Sequence, residues 1–202
     1  MPELSILQWW EVLAVVLAVT YLVLAIRQNI WCWAAAFIST LIYLYIMYEA
    51  KLYMESVLQL FYLGMAVYGW YQWRNPGEGR EELAVSTWPL RKHVTAIGSV
   101  LLLVFISGEL LTRFSDAALP HLDSFTTWGA IVATFMVARK ILENWIYWFV
   151  IDAVSVGLYL SRDLYFTAGL FVVYLVMIVI GYRSWRASME TPLRAEPAQD
   201  AI

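Results

Sequence analysis

Residues 27–74 read RQNIWCWAAAFISTLIYLYIMYEAKLYMESVLQLFYLGMAVYGWYQWR, and residues 139–186 read RKILENWIYWFVIDAVSVGLYLSRDLYFTAGLFVVYLVMIVIGYRSWR. At an offset of 112 positions the two stretches align without a gap, and 13 of the 48 pairs are identical, among them Arg27/Arg139, Trp33/Trp145, Tyr62/Tyr174, Gly69/Gly181 and Trp73/Trp185. About four matches are expected by chance between stretches of such biased composition. Each copy is long and apolar enough to cross a bilayer twice. Internal duplication in an apolar chain points to a membrane carrier whose substrate sits between the copies.

Composition supports this class. Of 202 residues, 62% are hydrophobic and 14% charged, against about 25% charged in soluble domains. The 11 Trp and 13 Tyr belong to a residue type that gathers at membrane boundaries and in ligand cavities. A net charge of −3 with scattered basic residues excludes a nucleic-acid partner. The single cysteine, Cys32, reads as a small buried hydrophobe. The first apolar segment follows Glu3 and no Lys or Arg, so no cleavable signal peptide is expected.

A spanning helix needs about 20 mostly apolar residues. Seven segments come close, at 9–26, 30–48, 53–73, 94–112, 125–141, 145–160 and 165–183. With the amino terminus outside, the cytoplasmic loops hold ten of the 13 basic residues: Arg27, Arg74, Arg80, Arg91, Lys92, Arg139, Lys140, Arg183, Arg186 and Arg194. The outer loops hold Lys51, Arg113 and Arg162. This partition obeys the positive-inside rule and puts the carboxyl terminus in the cytoplasm. Seven crossings also explain the repeat. Two successive three-helix units would face opposite ways, and one added crossing restores a common orientation. The expected fold is therefore an all-α integral membrane protein in a three-plus-one-plus-three order with two parallel repeats. Residues 1–74 form the first repeat, 75–124 a cytoplasmic loop and connecting helix, and 125–186 the second repeat. Residues 187–202 form a disordered cytoplasmic tail.

Polar groups inside a membrane are costly and mark function. In the sixth segment Asn144, Trp148 and Asp152 recur every four residues on one helical face, continued by Ser155 and Tyr159. Asn144 offers donors and an acceptor, ionised Asp152 accepts, and Trp148 gives a flat wall. The stripe suits a ligand with a planar ring and hydroxyls, or alternatively a helix–helix contact. In the third segment Gln59, Tyr62, Ala66, Trp70 and Trp73 share a face. An amide inside an apolar run needs a partner, so Gln59 is expected to have one, in the protein or in the substrate. Trp73 reads equally as an interfacial anchor. Ser39 and Thr40 are expected to bond back to their own helix, and Glu109 to reach water. The two histidines, His93 and His121, fall in expected connectors without a Cys or acidic cluster. No catalytic residue, metal ligand or cofactor is therefore nominated.

The string Tyr68-Gly69-Trp70-Tyr71-Gln72-Trp73 with Gln59 upstream, and Arg139-Lys140 followed by Glu143-Asn144-Trp145-Ile146-Tyr147-Trp148 and Asp152, resemble the third- and sixth-helix signatures of the PnuC family of vitamin transporters. The resemblance runs from the first segment to Trp185. It implies a bacterial inner-membrane carrier of nicotinamide riboside, similar in fold to the SWEET sugar carriers and assembled as a homotrimer. It implies facilitated diffusion, with direction imposed by a cytoplasmic kinase that phosphorylates the riboside. The ligand positions it implies are Gln59, Trp70 and Trp73 on the third helix and Asn144, Trp145, Trp148 and Asp152 on the sixth. A cationic pyridinium suits Trp faces, each worth roughly 0.5–2 kcal/mol. Thiamine, also cationic, is the nearest rival; riboflavin and deoxynucleosides are other family substrates. An intramembrane enzyme or assembly subunit is the reading from a different class.

Overall fold

The computed structural model describes residues 6–49, 53–75, 82–114, 119–161 and 165–190. Among them are seven helices: α1 (Ile6–Ile26), α2 (Trp31–Glu49), α3 (Tyr53–Arg74), α4 (Leu90–Phe114), α5 (Pro120–Ala138), α6 (Asn144–Leu160) and α7 (Tyr165–Glu190). Helices satisfy every backbone group internally, which lipid demands. Three of them, Trp9–Ile26, Leu90–Phe114 and Ala168–Glu190, contain stretches long and apolar enough to cross a membrane. Apolar stretches at Trp31–Ile46 and Asn144–Leu160 are shorter.

Several boundaries differ from the sequence reading. Pro120 starts α5 five residues early, because its missing N–H costs nothing in a first turn. The same helix ends at Ala138, since residues 139–142 form a tight turn. Helix α4 begins at Leu90, which makes His93 a helical residue, and His121 lies in the first turn of α5. Each histidine has a glutamate within 4 Å, Glu143 at 3.9 Å from His93 and Glu109 at 3.7 Å from His121. Glu109 also pairs with Arg113 at 3.7 Å, so it is not simply solvated. Helix α7 continues to Glu190, where an Arg186–Glu190 pair of 3.1 Å closes the last turn. The remainder of the expected tail, together with Lys51, Arg80 and Arg162, lies outside the described residues.

The helices pack in two groups. Helices α1, α2 and α3 contact one another in sequence, as do α5, α6 and α7. The groups meet where α3 touches α5 and α1 touches α7. Helix α4 packs its backbone against α5 alone. Only Val100 and Gly108 of its 25 residues are buried, and Leu90, Phe105 and Phe114 stand open on its outer side. Such an apolar exterior is what a lipid-facing helix presents.

The turns after α1 and α5 are built alike. After α1, Gln28 N–H bonds Ala25 O at 3.0 Å and Asn29 N–H bonds Leu24 O at 2.9 Å. After α5, Lys140 N–H bonds Val137 O and Ile141 N–H bonds Met136 O, each at 2.9 Å. Both are Schellman closures, with Gln28 at φ 54° and Lys140 at φ 48° in the left-handed position that glycine usually takes. Every residue in one closure lies 112 positions from its counterpart in the other.

The buried core sits at this end of the bundle. It joins Ala25, Cys32, Trp33, Ala66 and Trp73 from one group to Val137, Ala138, Leu142, Trp145, Ile178 and Trp185 from the other. Residues 82–89 fold back onto it. Ser86 N–H bonds Lys140 O at 3.0 Å, and Leu142 N–H bonds Ser86 O at 2.8 Å. This stretch of the expected polar loop is thus docked on the α5–α6 turn.

Candidate functional site

Four tryptophans meet where the helix groups join. Trp33 and Trp73 contact edge to face, with centroids 5.6 Å apart at 88°; Trp145 and Trp185 do the same at 5.4 Å and 89°. Trp73 and Trp185 bridge the pairs at 6.2 Å. Small residues make room for them: a Cβ at Gly181 would come within 2.6 Å of the Trp145 ring, and one at Gly69 would run into Trp33. Glycine at these two helical positions lets backbone and indole approach closely.

The structure divides the sequence-nominated residues. Trp73, 7% exposed, is a core residue rather than an interfacial anchor. Its indole donates to Val137 O at 3.4 Å, and the Lys140 ammonium lies 4.6 Å above its ring. Trp70 and Trp148 are half-buried against the same cluster, and Trp70 meets Trp31 edge to face at 5.4 Å. Asn144 and Trp145 are 0% and 1% exposed. The aromatic nominees thus gather with Asn144 at one end of the bundle. Asp152, 5% exposed, stands two turns further along α6, within electrostatic reach of Tyr174 on α7. Gln59 is half-buried, and no hydrogen bond to it is present among the described residues. Ser39 departs from expectation: its hydroxyl crosses to Ala14 O on α1 at 2.8 Å instead of bonding within α2. Ser155 bonds back to Ile151 O at 2.9 Å, which removes it from the polar stripe.

Two adjacent residues carry unused polar capacity. Asn144 donates through Nδ2 to Ile141 O at 2.6 Å, and its Oδ1 is buried and unpaired. The Trp145 indole N–H is likewise buried and unpaired, as is that of Trp33. Buried polar atoms almost always have partners. One acceptor and two donors are thus left without protein partners in the aromatic core and beside it.

Lys140 entered the sequence reading in the basic count and in the Arg139-Lys140 string, with no role assigned to its side chain. It is 3% exposed and donates to Gln28 Oε1 at 3.2 Å. Burial pulls its ammonium below the ordinary lysine range, and the nearby Glu82 carboxylate pushes it partly back. Among the described residues no group of three or more His, Cys, Asp or Glu is placed to hold a metal.

Comparison with known proteins matches this architecture. Residues 8–187 fit the family model described as nicotinamide mononucleotide transporter. The chain is 27% identical to the riboflavin/roseoflavin transporter RibM of Streptomyces davaonensis, over 88% of this chain and 84% of that one. It is 26% identical to the nicotinamide riboside transporter PnuC of Escherichia coli, over 89% and 85% of the two chains. The crystal structure of the vitamin B3 transporter PnuC superposes with a TM-score of 0.70 at 25% identity, covering 90% of this chain and 82% of that one. The chain belongs to the nicotinamide mononucleotide transporter family, the PnuC-type integral membrane vitamin transporters.

Proposed function

We propose that this chain imports nicotinamide riboside across the bacterial inner membrane by facilitated diffusion, through a site formed by Gln59, Trp70, Trp73, Asn144, Trp145, Trp148 and Asp152. The observation that carries the site is the unpaired Asn144 Oδ1 beside the unpaired Trp145 N–H, both buried. A ribose hydroxyl satisfies one and the carboxamide the other, while Trp148 and Trp70 supply ring faces for the pyridinium. Asp152 supplies the compensating charge. Phosphorylation by a cytoplasmic kinase gives the flux its direction, and the protein works as a homotrimer, each protomer with its own path.

The working unit is read as two parallel three-helix repeats, residues 1–74 and 125–186, joined through the loop and α4 of residues 75–124. Support comes from the matched Schellman closures and from residues that meet their own counterparts. Gln28 touches Lys140, and Trp73 touches Trp185. Contact between equivalent residues at equivalent helix ends is what an approximate two-fold axis along the bundle would give. The amino terminus is placed outside and the carboxyl terminus in the cytoplasm. Arg27, Arg74, Arg91, Lys92, Arg139, Lys140, Arg183 and Arg186 all lie at or beside the end that carries the α1–α2 and α5–α6 turns, which supports that end as cytoplasmic.

Riboflavin is the second reading. One curated relative transports it, and the ammonium over Trp73 repels a cationic ring but not a neutral one. Uptake of labelled nicotinamide riboside into proteoliposomes, with riboflavin and thiamine as unlabelled competitors, separates the readings. Saturable riboside uptake without an ion gradient, resistant to a tenfold excess of riboflavin, is the expected result. Riboflavin uptake with no riboside uptake would replace the substrate, and no uptake of any vitamin would remove the carrier reading.

A further inference from the structure

Six hydrogen bonds join the two helix groups at the end of the bundle that carries the two closures. Lys140 Nζ donates to Gln28 Oε1 at 3.2 Å, and Gln28 Nε2 donates onward to Ser188 Oγ at 2.8 Å. Ser184 Oγ donates to Ile26 O at 3.1 Å, and the Arg139 guanidinium to Tyr68 Oη at 3.1 Å. Beneath them Trp73 and Trp185 each donate to a backbone carbonyl of the opposite group, at 3.4 and 3.0 Å. A carrier that alternates its exposure must break these contacts to open that face.

We propose that the Lys140–Gln28 bond is the latch of the cytoplasmic gate, closed over a plug made by Trp73 and Trp185. The inference rests on the carrier reading above. The latch residues are suited to switching. Lys140 is buried with its ammonium on one amide oxygen and one ring face, the Glu82 carboxylate acting on it from nearby, so its attachment is strong when made and costly when half made. Both side chains spring from the left-handed closures, which fix their direction without help from helix packing. Because the two positions are equivalent, a rotation of one group against the other separates them directly instead of sliding them past each other.

The chain carries its own reporter. Its single cysteine, Cys32, is 0% exposed and lies in the core beneath the latch, in the first turn after the Gln28 closure. A membrane-impermeant maleimide reaches it from the cytoplasmic face only when the latch end opens. Full-length protein in everted membrane vesicles is labelled with the reagent in the absence of any vitamin. Gln28→Gly deletes the latch side chain while suiting the left-handed backbone, so folding is preserved. It should label Cys32 about tenfold faster than wild type, the change expected when a bond to a charged group is lost. Gln28→Glu replaces the amide by a carboxylate that grips Lys140 harder. It should label more slowly than wild type and lower uptake without lowering vitamin binding. A merely structural contact would not move the two variants in opposite directions. Wild-type labelling rates in both variants, equal acceleration in both, or acceleration only from the outer face would overturn the latch. Absence of vitamin uptake with the expected labelling pattern would instead overturn the carrier reading and leave the moving latch standing.

Discussion

Trp73 and Trp185 exchange places across the bundle: each sends its indole N–H to the last turn of the opposite group's first helix, Trp73 to Val137 O in α5 and Trp185 to Ala25 O in α1. The four residues are two pairs related by the same 112-position offset. Such reciprocity ties each helix group to a backbone carbonyl of the other.

Trp185→Phe keeps most of the packing and removes the 3.0 Å bond. It should cost about 1–2 kcal/mol, part from the lost bond and part from the smaller ring. Trp73→Phe should cost less through its bond, which is longer at 3.4 Å. Thermal unfolding in detergent reads the order, and a larger drop for Trp73→Phe would contradict it.

Gly69→Ala and Gly181→Ala should each destabilise the protein by about 1–3 kcal/mol, because the added methyl meets a buried indole with nowhere to go. Gly64 and Gly157 are the controls, since a Cβ there meets nothing within 4 Å. Alanine at those two positions should be neutral or stabilising by up to about 1 kcal/mol, from helix propensity alone. The same unfolding measurement checks all four variants, and equal effects would show that the indole contacts do not limit these positions.

The duplication, the seven helices and the aromatic helix faces were open to sequence reasoning, because hydropathy and identity at a fixed offset survive in one dimension. The paired identities Trp33/Trp145 and Trp73/Trp185 marked the repeat, and only the packed helices show that the same four residues form the core. Other features had no such signal. Gln28 and Lys140 are not identical, and nothing in their residue types announces a left-handed backbone, so their contact emerges only when the helices are assembled. Ser39 resembled any helical serine, yet it bonds across to α1 because a close neighbour carbonyl, that of Ala14, is in reach. Trp73 read as a ligand residue or an interfacial anchor, and its place near a helix end gave no sign of the burial that the assembled helices impose. Docking of residues 82–89 depends on backbone pairing, which side-chain composition does not encode.

Asn144→Ala and Trp148→Ala should each lower vitamin uptake at least tenfold while the protein still inserts and extracts as a folded species. Asn144 loses its open acceptor together with the 2.6 Å bond that starts α6. Some loss of stability, about 1–2 kcal/mol, therefore accompanies that variant. Trp148 is only half-buried, so its truncation should affect uptake more than melting temperature. Uptake at wild-type levels in both variants would detach the site from this face of α6.

The docked stretch after α3 gives the last test. Ser86 pairs with both sides of the α5–α6 turn, Trp88 N–H donates to a Glu143 carboxylate oxygen at 3.3 Å, and His93 Nδ1 shares a 3.0 Å hydrogen bond with Tyr147 Oη. Together these hold residues 82–93 against the start of α6, the helix that carries Asn144 and Trp148. Ser86→Pro removes the donor to Lys140 O and cannot be repaired by water on the buried side of the turn. Glu143→Ala removes the acceptor for Trp88 and the carboxylate beside His93. Both variants should expose the stretch, seen as faster chymotryptic cleavage after Leu83 in everted vesicles. Ser86→Pro should be cleaved fastest, because its lost backbone pairing lies at the centre of the contact. Ser86→Ala, which keeps the backbone bonds, should resist cleavage like wild type. If Ser86→Ala were cleaved as readily as Ser86→Pro, the hydroxyl and not the backbone pairing would be what holds this stretch to the turn.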